Sequence, residues 1–472
     1  MTLGARRSIG DSATQIISSG PGLPLCNHSV GSSRLFRRGV RHWAASKGAS
    51  AGSMADLIQP DRLIGGAWSG TPLYAAIPAP ARSVEDIIFV PQRLFAFGLA
   101  FLLAYGAIFA GHVWLRDWPL TDSGSPRFID FISFWINAKF ALTVAAADAY
   151  QYAAFAAAQA PYVTMTRGDY PYYHLVYPPT LFPLVAPIGL LPFVAALTAW
   201  IAATGGLYLL AVFRAVPRVL ACLLAVLPFA VVKNVWLGQA SFLVAGLLGL
   251  SLGLMEKRPF VAGLCLGLLT CKPQYGIIFP IVLLVTGQWR VIAGACVSFA
   301  ALIATVTGLY GVAIWRAYLG AFGTSSLDNF MTDNVLDAID QTVFGVMHWF
   351  GAGFAAKWSV HLVAAALMTA FVCVVCRRPT SGRLKAAALG VGALFVTPYM
   401  MAYDLTGLTI PAAFLAQEGL ATGFLPGERL TLLACFLGLF LMQTFPVGPL
   451  ILAALMALVL RRVFPGRARC LA

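Results

Sequence analysis

Asp130 stands in the run Asp130-Phe131-Ile132-Ser133-Phe134-Trp135, just beyond the first long apolar stretch of the chain. A carboxylate at the water edge of an apolar bundle is costly, and such groups mark binding or catalysis by default. The competing reading is a helix N-cap, because a helical pattern begins directly after it. Four more polar clusters fall in later breaks between apolar segments: Lys233-Asn234 with Gly238-Gln239, Lys272-Pro273-Gln274, the acidic stretch from Asp328 to Gln341, and Tyr403-Asp404. Proline at 273 breaks a helix and frees a backbone carbonyl. A lysine beside that break suits a phosphate ligand, with snorkelling to the interface as the plainer alternative. Lys233, Asn234 and Gln239 form a second polar corner suited to phosphate or sugar hydroxyls. Taken alone, Asp404 would be a charge at a helix N-terminus.

Three further groups carry weaker signals. Tyr170-Pro171-Tyr172-Tyr173-His174 and Tyr177-Pro178-Pro179 crowd aromatics at a membrane entry. They read either as an interfacial belt or as a rigid platform for a sugar ring or an isoprenoid chain. Asp328, Asp333, Asp337 and Asp340 follow Arg316 and precede His348. Their spacing matches no metal-binding loop, which favours a solvated acidic face over a divalent-cation site, and no metal ligands are assigned.

The elements that must position these residues are those of a membrane protein. The 472 residues are 59% hydrophobic and only 11% charged, with a mean hydropathy of +0.80, whereas a soluble domain carries roughly 25% charged residues. That length holds about ten to twelve spans. The net charge of +14 does not point to nucleic acid, because the basic residues gather in short loops and at both termini, beside anionic lipid head groups. Nine cysteines show no disulfide framework, and Cys373-x-x-Cys376 reads as small apolar packing at a helix end.

Residues 1–90 read as a disordered, basic, cytoplasmic extension with Met54 as an alternative start, 91–465 as the membrane-embedded domain, and 466–472 as a basic tail. Spans are expected near 94–115, 181–212, 218–232, 238–255, 259–312 (interrupted at Lys272-Pro273-Gln274), 350–376, 385–398, 404–417, 430–444 and 447–460. Alternation from a cytoplasmic N-terminus places Arg214 to Arg218, Glu256-Lys257-Arg258, Arg290, Arg377 to Lys385, Arg429 and Arg461 to Arg469 inside. Asp130, Asp148, Asp169, Asp328 to Asp340 and Asp404 then fall outside, as the positive-inside rule expects. Phe131, Phe134, Trp135, Ala138 and Leu142 recur at helical spacing, with Lys139 on another face. This pattern predicts an amphipathic helix lying on the membrane surface.

An ordered set of short motifs runs across 130–405. It comprises Asp130-Phe131 with Phe134-Trp135 and Ala138-Lys139, Ala149-Tyr150, Tyr177-Pro178-Pro179 and Leu190-Leu191-Pro192. It continues with Gly238-Gln239, Gly263 to Lys272-Pro273-Gln274, Gln288-Trp289-Arg290, Asp340-Gln341-Thr342 and Pro398-Tyr399 to Tyr403-Asp404. The set resembles the polyprenyl-phosphate-sugar-dependent membrane glycosyltransferases of C-type fold, in particular glycosyltransferase family 87, which includes bacterial α-1,2-mannosyltransferases. Gln341-Thr342 is a looser match to an Asn-Gln-Ser-like run. The resemblance implies an all-α polytopic fold with two long extracytoplasmic loops carrying interfacial helices. It also implies inverting transfer at the outer face of the bacterial inner membrane, from a polyprenyl-phosphate sugar to a glycan or glycolipid hydroxyl. It places the general base on Asp130. It places donor-phosphate binding on Lys272, Gln274, Lys233, Asn234, Gln239, Arg316 and Tyr177, with Asp404, Tyr403, Lys139, Gln341 and His348 in support. A divalent cation is left open. The rival reading is a transporter or flippase of envelope precursors, which also needs intramembrane charge and broken helices. No internal repeat supports it.

Overall fold

The computed structural model describes residues 85, 89–115, 118–120, 126, 129–162, 177–321 and 340–465. The N-terminal extension, the 170–174 aromatic run, Asp169, Asp328, Asp333, Asp337 and the tail lie outside the described residues. Those described are helical, with two isolated β-bridges, Leu120 to Pro126 and Asp340 to Met401. The protein is an all-α, multi-pass membrane protein.

Among the described residues, four helices are long and apolar enough to cross a bilayer: Gln92–Trp114, Phe193–Ala215, Trp289–Tyr310 and Phe354–Arg377. The pair Leu220–Val226 and Phe229–Leu237, bent by 58° where Pro228 cannot supply a backbone N–H, forms a broken span or a re-entrant loop. The remaining expected spans are shorter or interrupted helices. Ser241–Leu254, Gly382–Phe395 and Thr409–Thr422 are buried over most of their length. Enclosed by protein, they need not match the bilayer's thickness.

The 131–142 segment departs from expectation. Its helix, Phe131–Phe140, is buried continuously from Phe131 to Ala138 and has no solvated face there. The apolar spacing is real, but the two polar residues also turn inward. Asn137 donates its Nδ2 to the Ser133 carbonyl at 2.8 Å, a local bond that lets an amide enter an apolar core. Around this helix gather Leu181, Val185, Phe193, Trp200 and Cys271. It is a core element beside the candidate site rather than a raft at the interface.

The tightest helix crossing is made by glycines. A Cβ on Gly263 would fall 2.1 Å from the Val291 carbonyl, and one on Gly294 would fall 2.1 Å from that of Phe260. Backbones of Pro259–Leu268 and Trp289–Tyr310 therefore touch directly, as small residues allow in membrane bundles. Because the first of these helices leads into Lys272, the crossing sets where that lysine stands. Gly263→Leu is expected to separate the two helices and lower stability by about 2 kcal/mol or more, read as a lower thermal midpoint in detergent by fluorescence-detected size exclusion.

Candidate active site

Asp130 precedes Phe131 in helical conformation, and its side chain makes no capping bond. Its Oδ2 instead accepts Gln239 Nε2 at 2.5 Å. The Gln239 Oε1 accepts from the Tyr177 hydroxyl and from the Ala240 N–H, both at 3.3 Å. Two donors on one oxygen fix the orientation of that amide.

Lys272 and Asp404 make a buried ion pair at 2.8 Å, with side chains 5% and 2% exposed. The same carboxylate oxygen accepts Ser241 Oγ at 2.6 Å, and the other accepts the Met401 N–H at 3.3 Å. Asn234 Oδ1 in turn holds the Ser241 N–H at 3.2 Å. Rings of Tyr403, Tyr177 and Tyr275 surround the ammonium at 5.4, 5.8 and 6.0 Å, within range of cation–π attraction. The Tyr275 hydroxyl lies near Asp404 without completing a well-formed hydrogen bond.

Tyr177 joins the two groups, since it bonds Gln239 and flanks Lys272. Although its ring partly reaches the surface, the phenol is enclosed. Burial first, then the charges of Asp404 and Asp130, hold it well above the usual phenol range, so it stays a hydroxyl donor. Tyr403 feels both carboxylates, and Lys233 feels Asp130. Asp130, through Gln239 and Tyr177, thus meets the Lys272–Asp404 pair, and Lys233 stands on the helix that ends at the same Gly238 turn.

Local conformation explains this meeting. The helix Phe229–Leu237 ends at Gly238 in the left-handed region, φ +67°. Gly238 donates to the Val235 carbonyl and Gln239 to that of Asn234, a glycine stop of Schellman type. The next helix starts at Ser241, so Gln239 and Ser241 leave one turn toward different carboxylates. Lys272 adopts φ −135°, ψ 77°, as the residue before a proline is pushed out of the helical region. The carbonyl of Thr270 beside that break accepts the Thr180 hydroxyl at 3.1 Å.

A clamp from the chain entering Val343–Trp349 fixes Asp404. The Gln341 N–H donates to the Met400 carbonyl at 2.7 Å, and Asp340 Oδ1 accepts the Met400 N–H at 3.3 Å. Thr342 Oγ1 donates to Asp340 Oδ2 at 3.0 Å. Asp340 is buried, which corrects the solvated reading for that member of the acidic stretch. Burial pushes its carboxyl up to about 7, against the Met400 N–H and the Thr342 hydroxyl, which favour the charged form.

Other expected site residues sit elsewhere. Gln341 ties its side chain to Met442, Phe445 and Gly448 backbone, so it is a framework link. Lys139 lies over the Trp135 ring at 4.2 Å. His348 Nδ1 meets Lys357 Nζ at 2.7 Å. Arg316 is exposed on Ala313–Ala321, and among the described residues no bond joins it to the site. Gln274 is half-buried beside Lys272. Ser241, Tyr275 and Asp340 were not singled out from sequence as site residues. Among the described residues no group of three His, Cys, Asp or Glu could hold a metal ion.

Residues 175–402 match the sequence profile of glycosyltransferase family 87. Over that stretch, a little under half of its length, the chain is similar to that family. The matched region holds Tyr177, Lys233, Asn234, Gln239, Lys272 and Asp340, while Asp130 precedes it and Tyr403-Asp404 follow directly. No curated protein and no solved structure gives a significant match to the chain.

Two expectations follow from the geometry. A Cβ at Gly238 would fall 2.6 Å from that of Phe131, at a φ costly for other residues. Gly238→Ala is therefore expected to lower stability by about 1–3 kcal/mol and to reduce transfer, measured by thermal midpoint and activity in parallel. The folded state also holds the Asp340 proton to higher pH than the unfolded chain, so stability declines as pH rises through 7. From pH 6 to 8 the loss is about 1 kcal/mol, seen as a falling thermal midpoint that Asp340→Asn flattens.

Proposed function

We propose that the protein is an inverting hexosyltransferase of the bacterial inner membrane. It takes a sugar, mannose being the first to test, from a polyprenyl-phosphate donor and attaches it to a hydroxyl of a glycan or glycolipid acceptor. The observation that carries this reading is the meeting of Asp130, through Gln239 and Tyr177, with the Lys272–Asp404 pair. A single displacement from a lipid phosphate needs one base and a cation, but no acid, because the departing phosphate is already a good leaving group. Asp130 takes the acceptor proton as its oxygen attacks the anomeric carbon. The bond from that carbon to the phosphate oxygen breaks, and the lipid phosphate leaves with the electron pair. Lys272 and Lys233 stabilise the charge that develops there. Arg316, exposed and unconnected to the site, has no part in this scheme. The extracytoplasmic placement rests on the gathering of Lys and Arg in the loops expected to face the cytoplasm.

The test uses the full chain in nanodiscs with polyprenyl-phosphate-linked radiolabelled mannose and an alkyl mannoside acceptor. Asp130→Asn is expected to lower kcat by about 10² or more while inserting normally. Equal turnover in both proteins removes Asp130 from the mechanism. Lys272→Gln, which leaves Asp404 unpaired in the interior, is expected to lower the thermal midpoint as well as transfer.

A further inference from the structure

Gln239 was expected on the donor side of the site, but its environment is that of a residue behind the acid. It is 1% exposed, against 7% for Asp130. Its N–H points at Asp130 Oδ2, and its oxygen is occupied by Tyr177 and Ala240. The Gly238 turn packs against the side chain of Phe131, the residue directly after Asp130, so the amide and the carboxylate are tied through one close contact. We infer that Gln239 is a positioning residue for the acceptor side, orienting the Asp130 carboxylate through a Tyr177–Gln239–Asp130 relay instead of binding donor phosphate.

This rests on the reading of Asp130 as base. Burial opposes a charged carboxylate, and a hydrogen bond donated to it favours the charged form. Gln239 is a neutral donor that does this for Asp130. Among the described residues, groups facing the acid include Lys233 from Phe229–Leu237, Tyr177 from the segment before Pro179, and Tyr403 from Ala402–Leu408. Lys272 and Asp404 stand beyond Tyr177 as a mutually compensating pair. Lys233 also favours ionisation, so removing the Gln239 bond weakens the charged form without abolishing it.

The experiment is a pH titration of the full chain in nanodiscs by difference infrared spectroscopy, with the Asp130 carboxyl band identified by its loss in Asp130→Asn. Gln239→Met keeps the length and removes the donor. Its Asp130 protonation midpoint is expected to rise by about one pH unit or more, the worth of a hydrogen bond to a charged group. The acidic limb of the transfer rate moves with it, and donor KM stays within about twofold. Gln239→Glu keeps the shape of the turn and makes the two carboxyls share a proton, so its midpoint rises further. An unmoved midpoint in both variants, or a raised donor KM with an unmoved limb, overturns the inference. If Asp130→Asn itself stays active, the base reading falls and this inference with it. If Asp130→Asn is inert while the midpoints do not move, only the role of Gln239 falls.

Discussion

A lysine and an aspartate face each other at 2.8 Å in the interior, nearly sealed from solvent. Each of these ions costs several kcal/mol to remove from water, and their attraction repays that only when the remaining bonding capacity is also met. Here Ser241, the Met401 N–H and three tyrosine rings meet it. The pair depends on breaks in three apolar elements: the proline break after Lys272, the glycine stop before Ser241, and the tight turn at Ala402–Leu408. Irregular backbone at such depth persists only where protein encloses it and satisfies its polar groups. The Thr180 bond to the Thr270 carbonyl and the Asp340 clamp on Met400 are instances of that satisfaction.

The turn at 238–241 divides the site into two halves and holds both. Through Gln239 it reaches Asp130, and through Ser241 it reaches Asp404. A small shift of this turn would change both contacts together, so the carboxylate and the lysine pair form one mechanical unit. Tyr177 links the two halves, bonding one and flanking the other.

Much of this was legible in the chain because charge inside an apolar sequence is a local signal. Asp130, Lys272 and Asp404 announce themselves by their surroundings, and Pro273 announces the break that makes room for them. Their supporting residues do not. Ser241 is an ordinary serine at a helix start until Asp404, 163 residues on, comes to it. Asp340 shares its acidic surroundings with residues expected to be solvated, and its burial comes from a backbone contact 60 residues away. The same limit explains the misplaced candidates. Gln341, His348 and Lys139 are polar residues near membrane entries, but a glutamine can equally link backbone, and a lysine can lie on a tryptophan. Helical spacing at 131–138 marked the element correctly, whereas the helices packed around it decided that its polar face would be enclosed. The span count fails to translate into full-length helices for a related reason: hydropathy reports burial, and burial inside protein reads the same as burial in lipid.

In the proposed transfer, charge moves across the site. A donor phosphodiester would add one negative charge beside Lys233 and Lys272. As the acceptor proton passed to Asp130 in that scheme, the carboxyl would become neutral, and the charge it lost would reappear on the departing lipid phosphate. The total is unchanged, and one unit has moved from one half of the site to the other. In a medium of low effective dielectric such a displacement is stabilised only by charges already in place. Lys272 is held by Asp404 through one oxygen and by the surrounding rings, so its ammonium need not reorganise as the phosphate charge grows. A mobile, water-exposed lysine would give up that advantage, which is a physical reason for burying this cation with its counter-ion at a cost in desolvation.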